Sequence, residues 1–546
     1  MEAVLAIATI LKREGVEYIF NFPDNRILEP AATLGIRPLQ ARMERTAVGM
    51  ADGYTRVTNG RKIGVMMAQF GPGIEAAFGG VAAAFGDGTP ILVISANMSQ
   101  KRYGQSPEFD PVPSFREITK WSARLQPDRI PQMMRRAFTL LRTGRPGPVL
   151  LDLPLEVGRA EVSDDTVEAY VPVRGARTMA SDADVADAVQ ALLGAKAPVI
   201  HAGQGTMYAE ATSELRELAE LLDIPVMTTL VGKGAFPEDH HLSLGSGGGA
   251  WPDAAERFVR EADVIFGVGT SFTDSPYSMP VPTDGKVVIQ LAVQEHDFNK
   301  DRRADILLMG DVKLVLRQIL ERIGRGSGDS STHNAERIQL LSSVKQEWEE
   351  RWAPKLSSDE KPINPYRVIG ELMKALDVNN TIITHDAGKP RDQTSPMWKT
   401  REPRGYIGWG KSTPLGYGLG LIMGAKMAAP DRFAINIMGD AAIGMSGMDI
   451  ETAVRLKIPI MTVVLNNGGM TNYEARYPTA TERFGFKYLT GDYAGVAEAL
   501  GATGISVSDP AELRGGIERA RRVVDAGGVA LLDVRTREEP AVSNHR

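Results

Sequence analysis

The chain has 546 residues, of which 43% are hydrophobic and 24% are charged, and its formal net charge at pH 7 is −6. This ordinary globular composition excludes a disordered, collagen-like or coiled-coil chain, and without a basic tract it argues against nucleic acid as a partner. There is no cysteine, which excludes disulfides, thiolate nucleophiles and cysteine-bound metals. With no signal-peptide pattern and no apolar run of about 18 residues, we expect a soluble cytoplasmic enzyme that does not bind a membrane.

Short apolar segments alternate with helical patterns in the N-terminal part of the chain. The predicted strands are Tyr18–Phe22, Ile63–Ala68, Ile91–Ala96 and Pro148–Leu153, and the predicted helices between them include Glu44–Val57 and Gly73–Phe85. Continuous apolar runs are typical of parallel strands that are buried on both faces. Strands that alternate with helices predict βαβ units. We therefore predict an N-terminal domain over residues 1–160.

A second unit of the same kind follows, and we place it at residues 180–325. Its predicted strands are Val199–Ala202, Pro225–Thr229, Val264–Val268 and Val287–Leu291, and its predicted helices include Ala211–Leu222 and Asp311–Arg322. The segment Gly324–Thr332 is rich in Gly and Ser and is predicted to be a linker, leading into a charged helix at Asn334–Trp352.

The third predicted domain covers residues 360–546. Its predicted strands are Ile382–His385, Phe433–Met438, Ile460–Leu465 and Val529–Val534. The fold class predicted for the chain is therefore α/β, with three domains built on parallel sheets.

The strongest chemical signal lies after two of the third-domain strands. Gly439-Asp440-Ala441 follows one apolar strand, and Asn466-Asn467-Gly468-Gly469 follows the next, which places Asp440 and Asn467 27 residues apart. One strand–helix–strand step brings the carboxyl ends of both strands to one edge of the sheet. A carboxylate, an amide and free carbonyls suit Mg²⁺ that holds a diphosphate. Either of the two motifs alone would be interpreted as an ordinary turn.

With these motifs the chain resembles the thiamine-diphosphate enzymes of the acetolactate synthase, 2-oxoacid decarboxylase and 2-hydroxyacyl-CoA lyase type. Their metal motif is Gly-Asp-Gly followed by Asn-Asn, and this chain departs from it only in Ala441. The resemblance implies that Asp440, Asn467 and the carbonyl of Gly469 ligate Mg²⁺ and that Gly439 and Ala441 also contact thiamine diphosphate. Gly86-Asp87-Gly88 also matches the first half, but no Asn pair follows at that spacing.

The resemblance extends to the first domain and to the start of the third. Arg42-Met43-Glu44 precedes small residues and Ala51-Asp52-Gly53-Tyr54, which places Glu44 where the family has its catalytic, cofactor-binding glutamate. Without the family, Glu44 is a first-turn glutamate favoured by the helix dipole. Gly71-Pro72-Gly73 resembles a cofactor-binding segment. Leu415 takes the place of the apolar residue that holds the cofactor bent, and on its own it would be a core leucine.

The resemblance implies carbon–carbon bond cleavage or formation on a 2-oxoacid or related donor, in the manner of an acetolactate synthase. It also implies two cofactor-binding parallel-sheet domains that flank a Rossmann-like middle domain, and a homodimer or homotetramer with active sites between chains. The first domain has no histidine, so the adjacent pair of pyruvate-decarboxylase-like enzymes is absent there, and His240-His241 lies in the middle domain. His385 is either a structural histidine or one that approaches the cofactor. The alternative function is a 2-hydroxyacyl-CoA or oxalyl-CoA lyase, which the lack of a basic C-terminal tail disfavours.

Two further questions concern the middle domain and other classes of protein. Members of the family bind FAD or an adenine nucleotide in the middle domain, and Gly203-Gln204-Gly205 and Gly267-Val268-Gly269-Thr270-Ser271 are candidate phosphate-binding loops. The choice between these ligands stays open.

An NAD-type oxidoreductase is disfavoured because no intact Gly-x-Gly-x-x-Gly opens a helix after a strand. An inactive regulatory homologue is disfavoured because Glu44, Asp440 and Asn467 are all present.

Overall fold

The computed structural model describes residues 1–325 and 335–544 and contains three parallel sheets of six strands each. The strands of the first domain are β1 (Tyr18–Phe22), β2 (Arg37–Gln40), β3 (Gly64–Ala68), β4 (Ile91–Ala96), β5 (Trp121–Arg124) and β6 (Val149–Leu153). Those of the middle domain are β7 (Pro198–Ala202), β8 (Val226–Thr228), β9 (Ser243–Ser246), β10 (Val264–Val268), β11 (Val287–Ala292) and β12 (Ile306–Met309). Those of the third domain are β13 (Thr381–His385), β14 (Tyr406–Ile407), β15 (Phe433–Gly439), β16 (Met461–Asn466), β17 (Thr503–Val507) and β18 (Ala530–Arg535).

Helices cover the faces of each sheet. In the first domain and its connector they are α1 (Ala3–Arg13), α2 (Leu28–Thr33), α3 (Glu44–Val57), α4 (Pro72–Asp87), α5 (Pro111–Ser114), α6 (Ile130–Arg142), α7 (Leu155–Gly158) and α8 (Asp164–Glu168). The middle domain has α9 (Asp182–Gly194), α10 (Gly205–Tyr208), α11 (Thr212–Leu221), α12 (Asp253–Glu261) and α13 (Val312–Arg325), and α14 (Ala335–Leu356) leads out of it. The third domain has α15 (Pro365–Ala375), α16 (Lys389–Met397), α17 (Tyr417–Ala428), α18 (Asp440–Ser446), α19 (Ile450–Leu456), α20 (Tyr473–Arg476), α21 (Pro478–Phe484), α22 (Tyr493–Ala499) and α23 (Pro510–Asp525).

The first and third sheets have the same topology. Their strand orders are β2-β1-β3-β4-β6-β5 and β14-β13-β15-β16-β18-β17, which differ only by a constant offset of twelve. The middle sheet has the order β12-β11-β10-β7-β8-β9. Two parallel-sheet domains of one topology therefore flank a middle domain with a different strand order, which agrees with the predicted fold class. The residue limits proposed for the three domains stay predictions.

The first and third domains are joined through α3 and α17, which cross at glycines. A Cβ atom at Gly53 would collide with the carbonyl of Leu421, and one at Gly424 would collide with the carbonyl of Met50. The backbones of the two helices can approach this closely only because both contact points lack side chains. One buried cluster, which includes Met50 and Leu421, spans both domains. Since Glu44 begins α3, this packing fixes its position relative to the third domain.

The predicted elements agree with the structure within a few residues, and the differences lie mainly at the sheet edges. Strands β2, β5, β9, β12, β14 and β17 were not predicted. The predicted linker Gly324–Thr332 begins inside α13, and its remainder, together with Asn334, lies outside the described residues. Within the described ranges, no helix combines the length and the apolar character that crossing a membrane would require.

Candidate functional site

A cavity of about 320 Å³ opens in the third domain beside the loops that follow β15 and β16. These strands are neighbours, with Gly439 paired with Leu465, so the two loops leave the same edge of the sheet side by side. The cavity is lined by six of the residues predicted to bind the cofactor: Leu415, Gly439, Asp440, Ala441, Asn467 and Gly469. The structure thus brings the third-domain part of the predicted site together.

The side chains of Asp440 and Asn467 converge on one backbone group. The Gly469 N–H donates to Asp440 Oδ2 at 3.0 Å and to Asn467 Oδ1 at 3.1 Å, so both oxygens lie at the same point of the loop. Asn467 Nδ2 donates to Thr471 Oγ1 at 2.8 Å, which holds the amide in this orientation. Burial raises the pKa of Asp440, and backbone N–H donors, first among them Ala441, oppose that effect.

The donor atoms at this cavity fit magnesium. Among residues 1–325 and 335–544, no group of three or more His, Cys, Asp or Glu side chains could hold a metal ion. A cation beside Asp440 and Asn467 would have the carboxylate of the first and the neutral amide oxygen of the second as ligands. Mg²⁺ is held in this way, by few protein ligands together with phosphate and water oxygens. The residues present fit a magnesium ion that carries a diphosphate.

The loop that carries Leu415 is held by a buried carboxylate. Leu415 lines the cavity and packs against the core shared by the first and third domains. The next residue, Gly416, has a φ of 83°, a left-handed conformation that favours glycine. Asp386 accepts hydrogen bonds from the N–H groups of Gly416 at 2.9 Å and Gly418 at 3.1 Å. Burial raises the pKa of Asp386 to about 6, so at neutral pH the carboxylate is ionised and holds this loop.

The predicted first-domain residues also lie together. Glu44 is the first residue of α3 and is 8% exposed, and burial raises its pKa. A Cβ atom at Gly73 would lie 3.4 Å from Glu44 Oε1 and 2.8 Å from Gln69 Cγ, so glycine is required beside the glutamate. Gly71 has a φ of 58° and Pro72 begins α4, which turns the chain at this point. The segment 71–73 therefore forms one wall beside Glu44.

Within one chain, these two groups of predicted residues are separate. All of the described residues that line the cavity at β15 and β16 come from positions 365–539, and none comes from the first domain. Glu44 instead faces Gly73 and the charge of Asp449. Within a single chain, Glu44 therefore lies outside the cavity that contains Asp440.

Three protein-family models match the chain in order. The N-terminal TPP binding domain of thiamine pyrophosphate enzymes matches residues 1–114, their central domain matches residues 185–319, and their C-terminal TPP binding domain matches residues 386–534. A probable acetolactate synthase large subunit from Methanocaldococcus jannaschii is 31% identical, over 98% of this chain and 92% of that protein. The chain belongs to the thiamine-diphosphate-dependent acetolactate synthase family.

A bacterial relative supports the same assignment. The acetolactate synthase isozyme 3 large subunit of Escherichia coli is 30% identical, over 95% of this chain and 92% of that protein. The family resemblance inferred from the motifs is thereby confirmed, and the chain is an enzyme that uses thiamine diphosphate. The CoA-lyase alternative is not favoured, because both relatives carry the synthase name.

The histidines considered for proton transfer have structural partners. His385 is fully buried and stacks on Trp409 with ring centroids 5.4 Å apart. Its Nε2 accepts a hydrogen bond from the backbone N–H of Trp409 at 3.3 Å. Burial lowers the pKa of His385 to about 3, so the ring is neutral. In the pair His240-His241, the Nδ1 of His240 accepts the N–H of Leu242 at 3.2 Å within its own turn. The structural interpretation of His385 is therefore the supported one.

The segment that follows the metal motif contains Tyr473, Glu474 and Arg476, three side chains able to contact a substrate. Tyr473 lines the cavity, whereas Glu474 and Arg476 are not among its described lining residues. Glu474 accepts a hydrogen bond from Lys487 Nζ at 2.5 Å, and the guanidinium of Arg476 lies 5.3 Å from the ring centre of Tyr477. Of these three residues only Tyr473 is in the described lining, where it follows Met470, Thr471 and Asn472.

A second cavity, of about 180 Å³, lies where the three domains meet. Both predicted glycine loops line it, and a Cβ atom at Gly205 would lie 2.8 Å from the Cα of Gly269. Arg145 of the first domain and Lys411 of the third also line it, and Lys411 Nζ donates to Ser271 Oγ at 3.3 Å. Burial lowers the pKa of Lys411 to about 8, so this lysine remains largely protonated at neutral pH.

Two acidic residues of the site region were missed from the sequence. Asp386 directly follows the buried strand β13, which is the same signal that identified Asp440, so the pattern could have revealed it. Asp449 carries no such local signal. Its Oδ1 accepts the N–H of Arg42 at 2.7 Å across a separation of 407 residues, and only the fold brings the two together.

Proposed function

We propose that the protein is a thiamine-diphosphate- and Mg²⁺-dependent enzyme that makes or breaks carbon–carbon bonds of a 2-oxoacid or related donor, in the manner of an acetolactate synthase. One observation carries the proposal: oxygens of Asp440 and Asn467 meet at the Gly469 N–H inside a cavity at the sheet edge. The names of the two relatives support the same class of reaction.

Asp440, Asn467 and the carbonyl of Gly469 would hold Mg²⁺, and the ion would bind the diphosphate. Gly439 and Ala441 flank Asp440 and line the same cavity, where their small size leaves room for phosphate oxygens. This assignment predicts that metal and cofactor bind together, each weakly without the other.

When bound, thiamine diphosphate supplies a carbon nucleophile and an electron sink. The protein's part is to orient this group and to hold protons near it. Leu415 would press against the cofactor and fix its shape before reaction. Glu44 would hold a proton at its carboxyl group beside the pyrimidine ring, and Gly71, Pro72 and Gly73 would form the adjoining wall. Burial suits this role, because a raised pKa lets Glu44 keep a proton closer to neutral pH.

The complete site requires two chains. Because Glu44 lies outside the cavity that contains Asp440, a second copy of the chain would supply the missing half-site. Exposed apolar side chains support such an assembly: Phe78 and Phe85 on α4 are 40% and 37% exposed, and Met445 near the end of α18 is 51% exposed. A homodimer is the minimum assembly, and a homotetramer built from two such dimers would keep the same sites.

Product analysis tests the proposed reaction. The purified protein would be incubated with thiamine diphosphate, Mg²⁺ and pyruvate while CO₂ release is followed and the product is identified by mass spectrometry. Acetolactate is the expected product. Acetaldehyde would show decarboxylation without carboligation, and no turnover by a protein with bound cofactor would contradict pyruvate as the donor. An acyl-CoA donor would be tested next.

The cavity between the three domains would hold FAD or another adenine nucleotide. The glycines of its loops let a ligand approach the backbone closely. The cations Lys411 and Arg145, the latter paired with Asp297, line the cavity. A flavin spectrum of the purified protein, or release of an adenine nucleotide on denaturation, would identify the ligand. The Lys411→Met variant should bind it more weakly, and unchanged retention would contradict the role of this cation.

A further inference from the structure

Asp449 is a buried acid at the contact between the third domain and α3. It is 1% exposed, and its Oδ1 accepts the N–H of Arg42 at 2.7 Å and the hydroxyl of Thr452 at 2.8 Å. The hydroxyl of Thr46 bonds to the same carboxylate. The third domain thus contributes a carboxylate that is fixed by donors on both sides of the contact.

These donors place Asp449 next to Glu44. Arg42 and Thr46 lie two residues before and two residues after the glutamate, so a single carboxylate of the third domain binds both sides of the turn that begins α3. Both acids are buried, with Glu44 8% and Asp449 1% exposed. Two carboxyl groups that share such a position cannot both ionise without mutual repulsion.

Nearby cations act on the neighbouring acids, and the charge of Arg42 is one of the effects that lower the pKa of Asp449 against burial. The Arg42 guanidinium bonds to Glu451 Oε2 at 2.7 Å, and Arg455 bonds to Glu451 Oε1 at 2.9 Å. The charge of Arg45 acts on Asp386. The elements packed around this point add few others: β1 and β3 have no charged residue, α4 has the exposed Glu75 in its first turn, and α17 has Lys426 in its last turn.

We propose that Asp449 is a positioning residue for Glu44: the third-domain carboxylate fixes the turn that carries the glutamate and places negative charge beside its carboxyl group. The inference rests on the proposed role of Glu44. The charge of Asp449 adds to burial in raising the pKa of Glu44, so the glutamate keeps its proton to higher pH. Docking of the third domain against α3 therefore sets the proton affinity of the group that faces the cofactor.

The test measures the pH dependence of cofactor binding, which does not require turnover. Quenching of tryptophan fluorescence by thiamine diphosphate with Mg²⁺ gives a dissociation constant at each pH, and its inflection marks the titration of Glu44. The Glu44→Gln variant should lose this inflection. Asp449→Asn keeps an acceptor for the Arg42 N–H and removes the charge, so its inflection should move down by about one pH unit. The limb of the pH profile of kcat/KM that disappears in Glu44→Gln should move by the same amount.

Controls separate charge from structure. Glu498→Gln removes the same charge from the exposed side of α22, and its inflection should match that of the wild type. Asp449→Ser retains a short acceptor without charge, and it should reproduce the shift if the asparagine variant does not fold. An unshifted inflection in the folded Asp449 variants would overturn the inference. A wild-type inflection with full turnover in Glu44→Gln would overturn instead the proposed role of Glu44.

Discussion

Asp440 and Asn467 lie 27 residues apart in the chain, and an oxygen of each accepts a hydrogen bond from the same N–H group, that of Gly469. The relationship follows from topology: β15 and β16 are adjacent and parallel, so the first residues after them share one edge of the sheet. In the proposed function this oxygen pair holds the cation, and the first prediction removes the carboxylate of the pair.

Replacing Asp440 with Asn should weaken the binding of Mg²⁺ and thiamine diphosphate by about tenfold to a hundredfold, because the cation loses its one carboxylate ligand. Isothermal titration calorimetry measures this directly. Asp87→Asn is the matched control, because Asp87 also lies in a Gly-Asp-Gly sequence. Asp87 lies outside the described lining of this cavity, and its carboxylate pairs with Arg56 at a distance of 3.3 Å. The control change should lower stability and leave the affinity of the folded protein unchanged. Equal affinities for Asp440→Asn and the wild type would refute the metal assignment.

Replacing Leu415 with Ala should lower kcat by about tenfold or more, because a cofactor that is no longer held in shape must reach the reactive geometry unaided. Leu500→Ala provides a comparison, since Leu500 packs against the same core but does not belong to the described lining of the cavity. Both variants should lose about 1–3 kcal/mol of unfolding free energy. Steady-state kinetics and urea unfolding separate the two effects. If both variants lose the same kcat, the proposed role of Leu415 is wrong.

Replacing Gly73 with Ala should reduce turnover, because the added methyl group would press on Gln69 Cγ at 2.8 Å and approach Glu44 Oε1 at 3.4 Å. The same change at Gly515, where no atom lies within 4 Å of the new Cβ position, should slightly raise the melting temperature. Thermal unfolding and turnover would be measured for both. Full activity in Gly73→Ala would show that the wall beside Glu44 has room that the structure does not indicate.

Acid should destabilise the protein through its buried histidines. Burial lowers the pKa of His385 to about 3 and that of His201 to about 4, whereas an unfolded histidine titrates near its ordinary value. Between these values the unfolded chain binds more protons than the folded one, so stability falls as pH falls, by up to about 1.4 kcal/mol per pH unit for each histidine.

Urea unfolding at a series of pH values from neutral to mildly acidic measures this slope. The His385→Gln variant should show a shallower dependence of stability on pH. Its amide retains an acceptor for the backbone N–H of Trp409 but takes up no proton. His296→Gln is the control, since 74% of that side chain is exposed. A slope in His385→Gln as steep as that of the wild type would assign the acid sensitivity to other groups.

Whether a strand could be predicted from the sequence depended on how deeply that strand is buried in its sheet. β15 and β16 were recognised because a central parallel strand is covered on both faces and reads as one apolar run. The edge strands β2, with the burial pattern exposed, intermediate, buried, exposed, and β14, with only two residues, lack such a run. The predicted linker overlaps the end of α13, because Gly324 and Arg325 carry no sequence signal that the helix continues to Arg325.

For the site, the sequence located residues whose signal is local. Asp440 and Asn467 follow buried strands, and Glu44 begins a helix. Each segment alone had an ordinary structural interpretation, and the family resemblance of the combined motifs singled these residues out. The separation of Glu44 from the Asp440 cavity within one chain, and the proximity of Asp449 to Glu44, depend on how domains pack, which no local pattern encodes.

The most direct test of the whole account is complementation between two inactive variants. Glu44→Gln and Asp440→Asn would be purified separately, allowed to exchange subunits, and assayed for turnover. If the site combines the glutamate of one chain with the metal loop of the other, about a quarter of wild-type activity should return, because half of the reassorted dimers are mixed and each has one intact site. A mixture that stays inactive although mass spectrometry shows mixed dimers would contradict a site shared between chains.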